Sequence, residues 1–231
     1  FTSHVIKDEA ENITYFPYFI KHFAPERNLI DITDEDLATI LYTSGTTGIP
    51  KGVMLTHGGF KAVVAAHKEF FSFDNLYDMK SLAFLPLSHI FERSWTLFVL
   101  SQGGEVAILE DPKNILNTLK HVHPTAMCAV PRFYEKVYQT LIKKIEASSP
   151  TKQKLFKKAL EVGAKVADKK RTGAKVPFGL QLQFSFFDKL VFRKIKNELG
   201  GNLSFLPCGG AMLKKEISEF FAAIGLPVIV G

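Results

Sequence analysis

Residues 41–52 read Leu-Tyr-Thr-Ser-Gly-Thr-Thr-Gly-Ile-Pro-Lys-Gly, and this stretch constrains the chain more than any other. It gathers three glycines (Gly45, Gly48, Gly52), four hydroxyl side chains (Thr43, Ser44, Thr46, Thr47), Pro50 and Lys51. Glycine lets a backbone turn through φ > 0 and approach an anion closely, so that successive amide N–H groups aim at its oxygens. Hydroxyl donors and the lysine point charge complete a cradle for a polyphosphate. The apolar run 37–41 reads as a buried strand and 59–66 as a helix, which places the glycines on a strand-to-helix connection. A Walker A loop ends in Gly-Lys-Ser/Thr, whereas here Pro50 precedes Lys51 and Gly52 follows it, so a nucleotide site of another design is predicted. A Gly/Thr-rich surface turn with one exposed lysine is the bland alternative.

Around that segment, strands and helices alternate. After a strand-like region at 12–15 and an acidic turn at 31–36, the patterning predicts a strand over 81–85 and a helix over 91–100 closing at Gly103 and Gly104. A strand at 105–109, a helix at 112–121 with Pro112 in its first turn and a strand at 125–130 follow. Further on come a helix at 187–199 ended by Gly200 and Gly201, a strand at 203–206, a helix at 214–223 and a strand at 227–230. This rhythm predicts an α/β fold, a layered and mainly parallel sheet with helices on both faces.

The 231 residues suit one large α/β domain or two small ones, and 46% hydrophobic residues exclude a disordered chain. Phenylalanine occurs 21 times, which plain core packing explains before any wide apolar channel does. Cys128 and Cys208 lie in apolar strand-like runs, and so few thiols imply a reducing compartment and a cytoplasmic location. The apolar stretch 82–100 is broken by Pro86, His89, Glu92 and Arg93, too many polar groups for a membrane span. No basic-then-apolar leader opens the chain, and the missing initiator methionine and the abrupt end at Val228, Ile229, Val230 and Gly231 predict a piece of something longer.

The net charge of +6 has a local origin. Residues 142–175 carry ten lysines and Arg171 against Glu146, Glu161 and Asp168, an excess of +8, and the remainder of the chain holds 18 basic and 20 acidic residues. Leu155, Ala159, Val162 and Val166 recur at helical spacing, so part of this segment is a basic amphipathic helix. A solvated face over a packed stripe is the first reading. Peripheral contact with an anionic membrane leaflet is the second, and nucleic acid ranks last because arginine and interleaved aromatics are lacking.

Residues 42–52 resemble the phosphate-binding signature of the adenylate-forming superfamily, which includes acyl-CoA synthetases, peptide-synthetase adenylation domains and luciferases. Residues 85–93 (Leu-Pro-Leu-Ser-His-Ile-Phe-Glu-Arg), 130–137, 190–195 and the trio Gly209, Gly210 and Ala211 are similar to the long-chain fatty-acid–CoA ligase branch. The resemblance runs from about Asp31 to the last residue and implies part of the large N-terminal AMP-binding domain, without the C-terminal domain. It implies ATP, Mg²⁺ and coenzyme A as cofactors and co-substrates, with a fatty acid joined to AMP and then passed to the thiol of coenzyme A. An acyl-AMP ligase or another adenylating relative, and a non-catalytic nucleotide- or membrane-binding module, are the alternatives.

By the same resemblance, Thr43, Ser44, Gly45, Thr46, Thr47, Gly48 and Lys51 hold the β- and γ-phosphates, with the Thr46 hydroxyl as a magnesium ligand. Gly209, Gly210 and Ala211 lie along the adenine, and His89 borders the acyl pocket. Phe91, Trp95 and Phe98 fit either an acyl-tunnel lining or a helix core stripe. The family's magnesium-binding glutamate, ribose-binding aspartate and catalytic lysine would fall beyond Gly231, so the resemblance assigns no catalytic residue here and the 231-residue chain alone is expected to be inactive in thioester formation.

Overall fold

Two parallel strand pairs form the frame: β3 (Lys80–Ala83) with β4 (Glu105–Ile108), and β5 (Leu206–Cys208) with β6 (Val228–Val230). The structure, a computed structural model, describes residues 30–44, 48–71 and 78–230. The strand expected over 125–130 joins the two pairs, yet it pairs only through isolated parallel bridges, Ala126 to Phe205 and Ala129 to Cys208. Thr125 N donates to Lys80 O at 2.8 Å on one side, and Ala129 N donates to Pro207 O at 2.9 Å on the other. Proline explains the interruption. Gly209 N donates to Ala129 O at 3.3 Å, so strand alternation turns the Pro207 nitrogen toward the same neighbour, where proline has no N–H to give. The Pro207 carbonyl compensates by also accepting from the buried Tyr134 hydroxyl at 2.8 Å.

Alternation along this central segment divides the core. Ala126 and Cys128 pack with Trp95, Phe98 and Val99 beneath α1 (His57–Phe70) and α2 (Ile90–Ser101). Met127 and Ala129 face the opposite way, into the larger core under α3 (Ile115–Val122), α4 (Pro131–Glu146), α5 (Pro150–Arg171), α6 (Phe178–Phe187), α7 (Arg193–Glu198) and α8 (Lys215–Ala223). Helices therefore cover both faces of a mainly parallel layer, as the sequence pattern predicts. Trp95 and Phe98 are only 1% and 0% exposed, which resolves the two readings of their spacing in favour of core packing. The Trp95 indole N–H is satisfied by the buried Ser81 hydroxyl at 2.9 Å.

Several expectations need correction. The run 37–41 does not form a buried strand but part of β1 (Leu37–Ser44), which pairs antiparallel with β2 (Pro50–Thr56) and is largely exposed apart from Leu41. The candidate phosphate-binding stretch accordingly falls between two strands of an antiparallel pair, and the helix begins only at His57, where the Thr56 hydroxyl caps it by accepting from Gly59 N at 3.2 Å. The strand expected at 203–206 lies at Leu206–Cys208. The helix expected over 187–199 begins earlier, at Phe178, and contains a π-helical stretch at Asp188–Phe192. The region 12–15, residues Gly45, Thr46 and Thr47, and Gly231 lie outside the described residues.

The basic segment folds as expected. Pro150 occupies the first turn of α5, where a missing N–H costs nothing, and Ala159, Val162, Gly163 and Val166 are buried while the lysines are mostly exposed. Among the described residues no helix is long and apolar enough to cross a membrane. Glu198, at the end of α7, accepts from Lys120 at 2.7 Å and Lys144 at 3.4 Å, and these lysines hold its carboxyl below the usual range.

Between β3 and α2, Glu92 is fully buried, with 0% exposure, and no cation lies at ion-pair distance from it among the described residues. Its Oε2 accepts from Leu85 N at 3.1 Å and its Oε1 from the Thr96 hydroxyl at 3.4 Å. Burial raises this carboxyl above the ordinary 4.5, against the lowering effect of hydrogen bonds from Leu85 and Cys128.

Two outcomes follow from this packing. A Cβ at Gly163 would meet the carbonyl oxygen of Ala223 at 2.1 Å where α5 crosses α8, so Gly163→Ala destabilises the fold by about 1–3 kcal/mol although alanine is the better helix former. Urea unfolding checks the sign, and a stabilised variant would refute the close crossing. A carboxyl with a raised folded-state pKa binds its proton more tightly in the folded chain, so its stabilising contribution is present below the ordinary value and is lost as pH rises through the raised one. The stability of wild type relative to Glu92→Gln therefore falls as pH increases from 4.5, and a pH-independent difference would contradict the assignment.

Candidate nucleotide and acyl site

Because the strands of the main layer are parallel, their carboxyl ends share one edge, the place where open α/β sheets gather ligands. β3 runs out there into residues 84–89, the central segment into Val130, and β5 into Gly209, Gly210 and Ala211. Gly209 packs closely under Phe91: a Cβ there would fall 2.9–3.1 Å from three atoms of the ring, which would have to shift to admit it. Gly210 follows with φ of +85° and lies within 3.8 Å of a Val130 methyl group at its notional Cβ. Gly209 is buried, whereas Gly210 and Ala211 are exposed and offer solvent a short strip of backbone without bulky side chains.

His89 is the N-cap residue of α2 and is exposed. Its backbone N–H donates to Pro86 O at 2.9 Å, while its ring makes no hydrogen bond among the described residues. Phe91, two residues on, is the half-buried aromatic that meets Gly209, so the α2 start and the β5 end form one contiguous wall. Cys208, the last residue of β5, is buried and its thiol is pushed up to about 11; Cys128 is driven upward more strongly by burial beside Glu92. Neither thiol is a nucleophile under such conditions.

The hairpin presents the other group. Thr43 faces Lys51 across the ladder, Ser44 faces Pro50, and the Thr43 hydroxyl contacts Lys51 O at 3.5 Å. Lys51 and Gly48 are exposed, and Gly48 has φ of +79° with open space around it. Cross-strand partners share a face, so Thr43 and Lys51 project to the same side near the turn. The hairpin is fastened to the sheet edge by Arg93, whose Nη1 donates to the Thr39 hydroxyl at 2.6 Å while its Nε donates to Leu87 O at 2.8 Å.

Of the residues singled out from sequence, His89, Gly209, Gly210 and Ala211 thus lie along one edge of the sheet, and Thr43, Gly48 and Lys51 lie on an arm attached to it. Gly45, Thr46 and Thr47 lie outside the described residues, as does the Ser44 side chain. Sequence reasoning passed over Arg93 and the Phe91–Gly209 contact. The available signal was the adjacent charged pair Glu92 and Arg93 in an apolar helix start, which marks two groups needing partners on opposite sides. Among the described residues no cluster of three or more His, Cys, Asp or Glu gathers to hold a metal. Two cavities of about 750 and 1110 Å³ lie elsewhere, in the helical layer, and neither is lined by Lys51, His89 or Gly209.

Comparison with known proteins places this geometry. The profile of the family described as AMP-binding enzyme matches residues 5–231. The chain is similar to long chain acyl-CoA synthetase 7, peroxisomal, of Arabidopsis thaliana, 36% identical over 190 residues that make up 80% of this chain and 25% of that protein. It is also similar to long chain acyl-CoA synthetase 2 of the same plant, 32% identical over 227 residues, 94% of this chain and 33% of that one. A third relative is the long-chain-fatty-acid–CoA ligase FadD15 of Mycobacterium tuberculosis, 31% identical over 203 residues, 88% and 33% of the two chains. The chain therefore spans a quarter to a third of the length of these relatives. Among solved structures, the inhibitor-bound N-terminal domain of FACL13 from Mycobacterium tuberculosis superposes with a TM-score of 0.59 at 19% identity, over 93% of this chain and 41% of that one. ATP-bound MatB from Rhodopseudomonas palustris gives 0.53 at 22% identity, over 87% and 30%. These likenesses show that the chain shares the fold of these two structures. With a family profile that covers nearly all of its residues, the chain belongs to the AMP-binding enzyme family.

Proposed function

We propose that the chain supplies the phosphate loop and part of the adenine and acyl walls of an ATP-dependent long-chain fatty acid–CoA ligase. The observation that carries this reading is the attachment of the hairpin bearing Thr43, Gly48 and Lys51 to the sheet edge that carries His89 and Gly209–Ala211. The names and similarity of the relatives, at 31–36% identity, support the long-chain acyl class.

In this reading a fatty-acid carboxylate attacks the α-phosphorus of ATP, pyrophosphate leaves, and the thiol of coenzyme A then displaces AMP from the acyl carbon. The first step concentrates charge on the departing pyrophosphate, and oriented donors rather than a nucleophilic side chain lower its barrier. Thr43, Ser44, Gly45, Thr46, Thr47 and Gly48 provide those donors as backbone amides and hydroxyls, with Lys51 as the point charge. The Thr46 hydroxyl would be a hard oxygen ligand for magnesium, which would share the phosphate charge when bound. The exposed backbone at Gly210 and Ala211, next to the buried Gly209, offers a flat purine a close approach, and the exposed His89 ring is the group offered to a carboxylate headgroup.

Lys51→Ala and Thr46→Ala are the decisive variants, assayed in the longest native polypeptide that carries these residues. Loss of one charge-assisted contact to phosphate is worth roughly 1.5–3 kcal/mol, so palmitate-dependent pyrophosphate exchange drops by about 10- to 100-fold in Lys51→Ala, with an unchanged circular dichroism spectrum. Thr46→Ala lowers exchange and raises the magnesium concentration needed for half-maximal rate. Wild-type exchange rates in both variants would remove the phosphate assignment.

A further inference from the structure

The guanidinium of Arg93 joins two parts of the candidate site that are otherwise separate. Within the described residues, its bond to Thr39 is the single hydrogen bond that ties the hairpin to any element beyond α1. The hairpin depends on that tie, because a lone two-stranded ribbon is marginal and this one leaves Ile40, Tyr42, Ile49, Val53 and Met54 exposed. The other branch of the same side chain holds Leu87 O, in the turn that leads from β3 into His89. No carboxylate competes for the guanidinium at ion-pair distance among the described residues. Glu92 fixes the start of that turn from the buried side through Leu85 N, so among the described residues Arg93 is the direct hydrogen-bonded link between the hairpin and residues 86–89.

We propose that Arg93 is a positioning residue that couples the two halves of the site, so that phosphate held by the hairpin restrains the His89 turn and tightens binding of the acyl carboxylate. The planar fork is what makes this work: Nε and Nη1 point at two acceptors in fixed geometry, which an ammonium cannot reproduce. By reciprocity the acyl ligand tightens nucleotide binding by the same factor. The coupling rests on the function proposed above, whereas the tie between hairpin and turn does not.

Thr39→Val tests it with little disturbance, since valine keeps the shape and the strand preference and removes only the acceptor. In ligand-free protein, hydrogen exchange accelerates by about tenfold at the hairpin amides around Thr43 and Lys51 and also at the 87–89 turn, while β3, β4 and α8 are unchanged. Arg93→Ala does the same, and the double variant is no worse than Arg93→Ala alone. In titrations with a non-hydrolysable ATP analogue and a long-chain fatty acid, wild type shows at least about fivefold mutual tightening. Both variants, and Arg93→Lys, bring that factor close to one while each ligand alone still binds within about threefold. A Thr39→Val chain with normal exchange in the turn, or with wild-type coupling, overturns the proposal. Absence of nucleotide binding by wild type overturns the proposed function instead, and the exchange result still decides whether Arg93 joins hairpin and turn.

Discussion

Everything in this structure hangs on the parallel placement of residues 125–129 between β3 and β5. That segment makes one layer out of two strand pairs, and its alternation assigns Ala126 and Cys128 to one core and Met127 and Ala129 to the other. The parallel sense matters as much as the pairing. It brings the ends of β3, β5 and the segment itself to a common edge, and backbone with its unpaired polar groups is what a nucleotide requires there. Pro207 leaves a gap in the ladder at this same place, and the Tyr134 hydroxyl reaches across from α4 to the carbonyl beside it. A helix from the larger core is thus bonded directly to the strand that carries the candidate adenine wall.

Local pattern exposed much of this arrangement in advance. The order of strands and helices, the glycine stops at Gly103 and Gly200, the basic amphipathic helix and the position of Gly209 at a strand end all follow from periodicity and turn chemistry within a few residues. What escaped were features decided by distant neighbours. The run 37–41 is apolar enough for a buried strand, yet its partner is the stretch just beyond the phosphate loop, and an antiparallel ribbon there leaves much of it in solvent. The weak pairing of 125–130 depends on a proline some eighty residues further along, whose effect appears only when the two segments lie side by side.

The candidate site was legible to a different degree. Hydroxyls, glycines and a lysine in one short stretch mark a candidate phosphate loop because the chemistry is carried by adjacent residues. Arg93 belongs to another kind of feature. Its bonds go to Thr39 and Leu87, fifty-four and six residues away, and the first of these could not be inferred from spacing. Glu92 and Arg93 illustrate why neighbouring charges in an apolar helix start merit attention: one turns inward to secure a turn, the other outward to reach an arm.

The π-helical stretch at Asp188–Phe192 has an effect on what the chain can tolerate. Phe187 and Phe192 are five positions apart and both are buried in the same core. In an uninterrupted α-helix, residues at that interval point about 140° away from each other. The widened turn absorbs one extra residue and brings the two rings back into register, so the helices on either side share a core without sharing a phase. Single substitutions between the two phenylalanines leave the phase intact, and removal of one residue would leave the rings four apart, about 40° in a regular α-helix, so α7, with Ile195 and the Glu198 ion pairs, would keep its place; a further added residue is what would rotate it away from its neighbours.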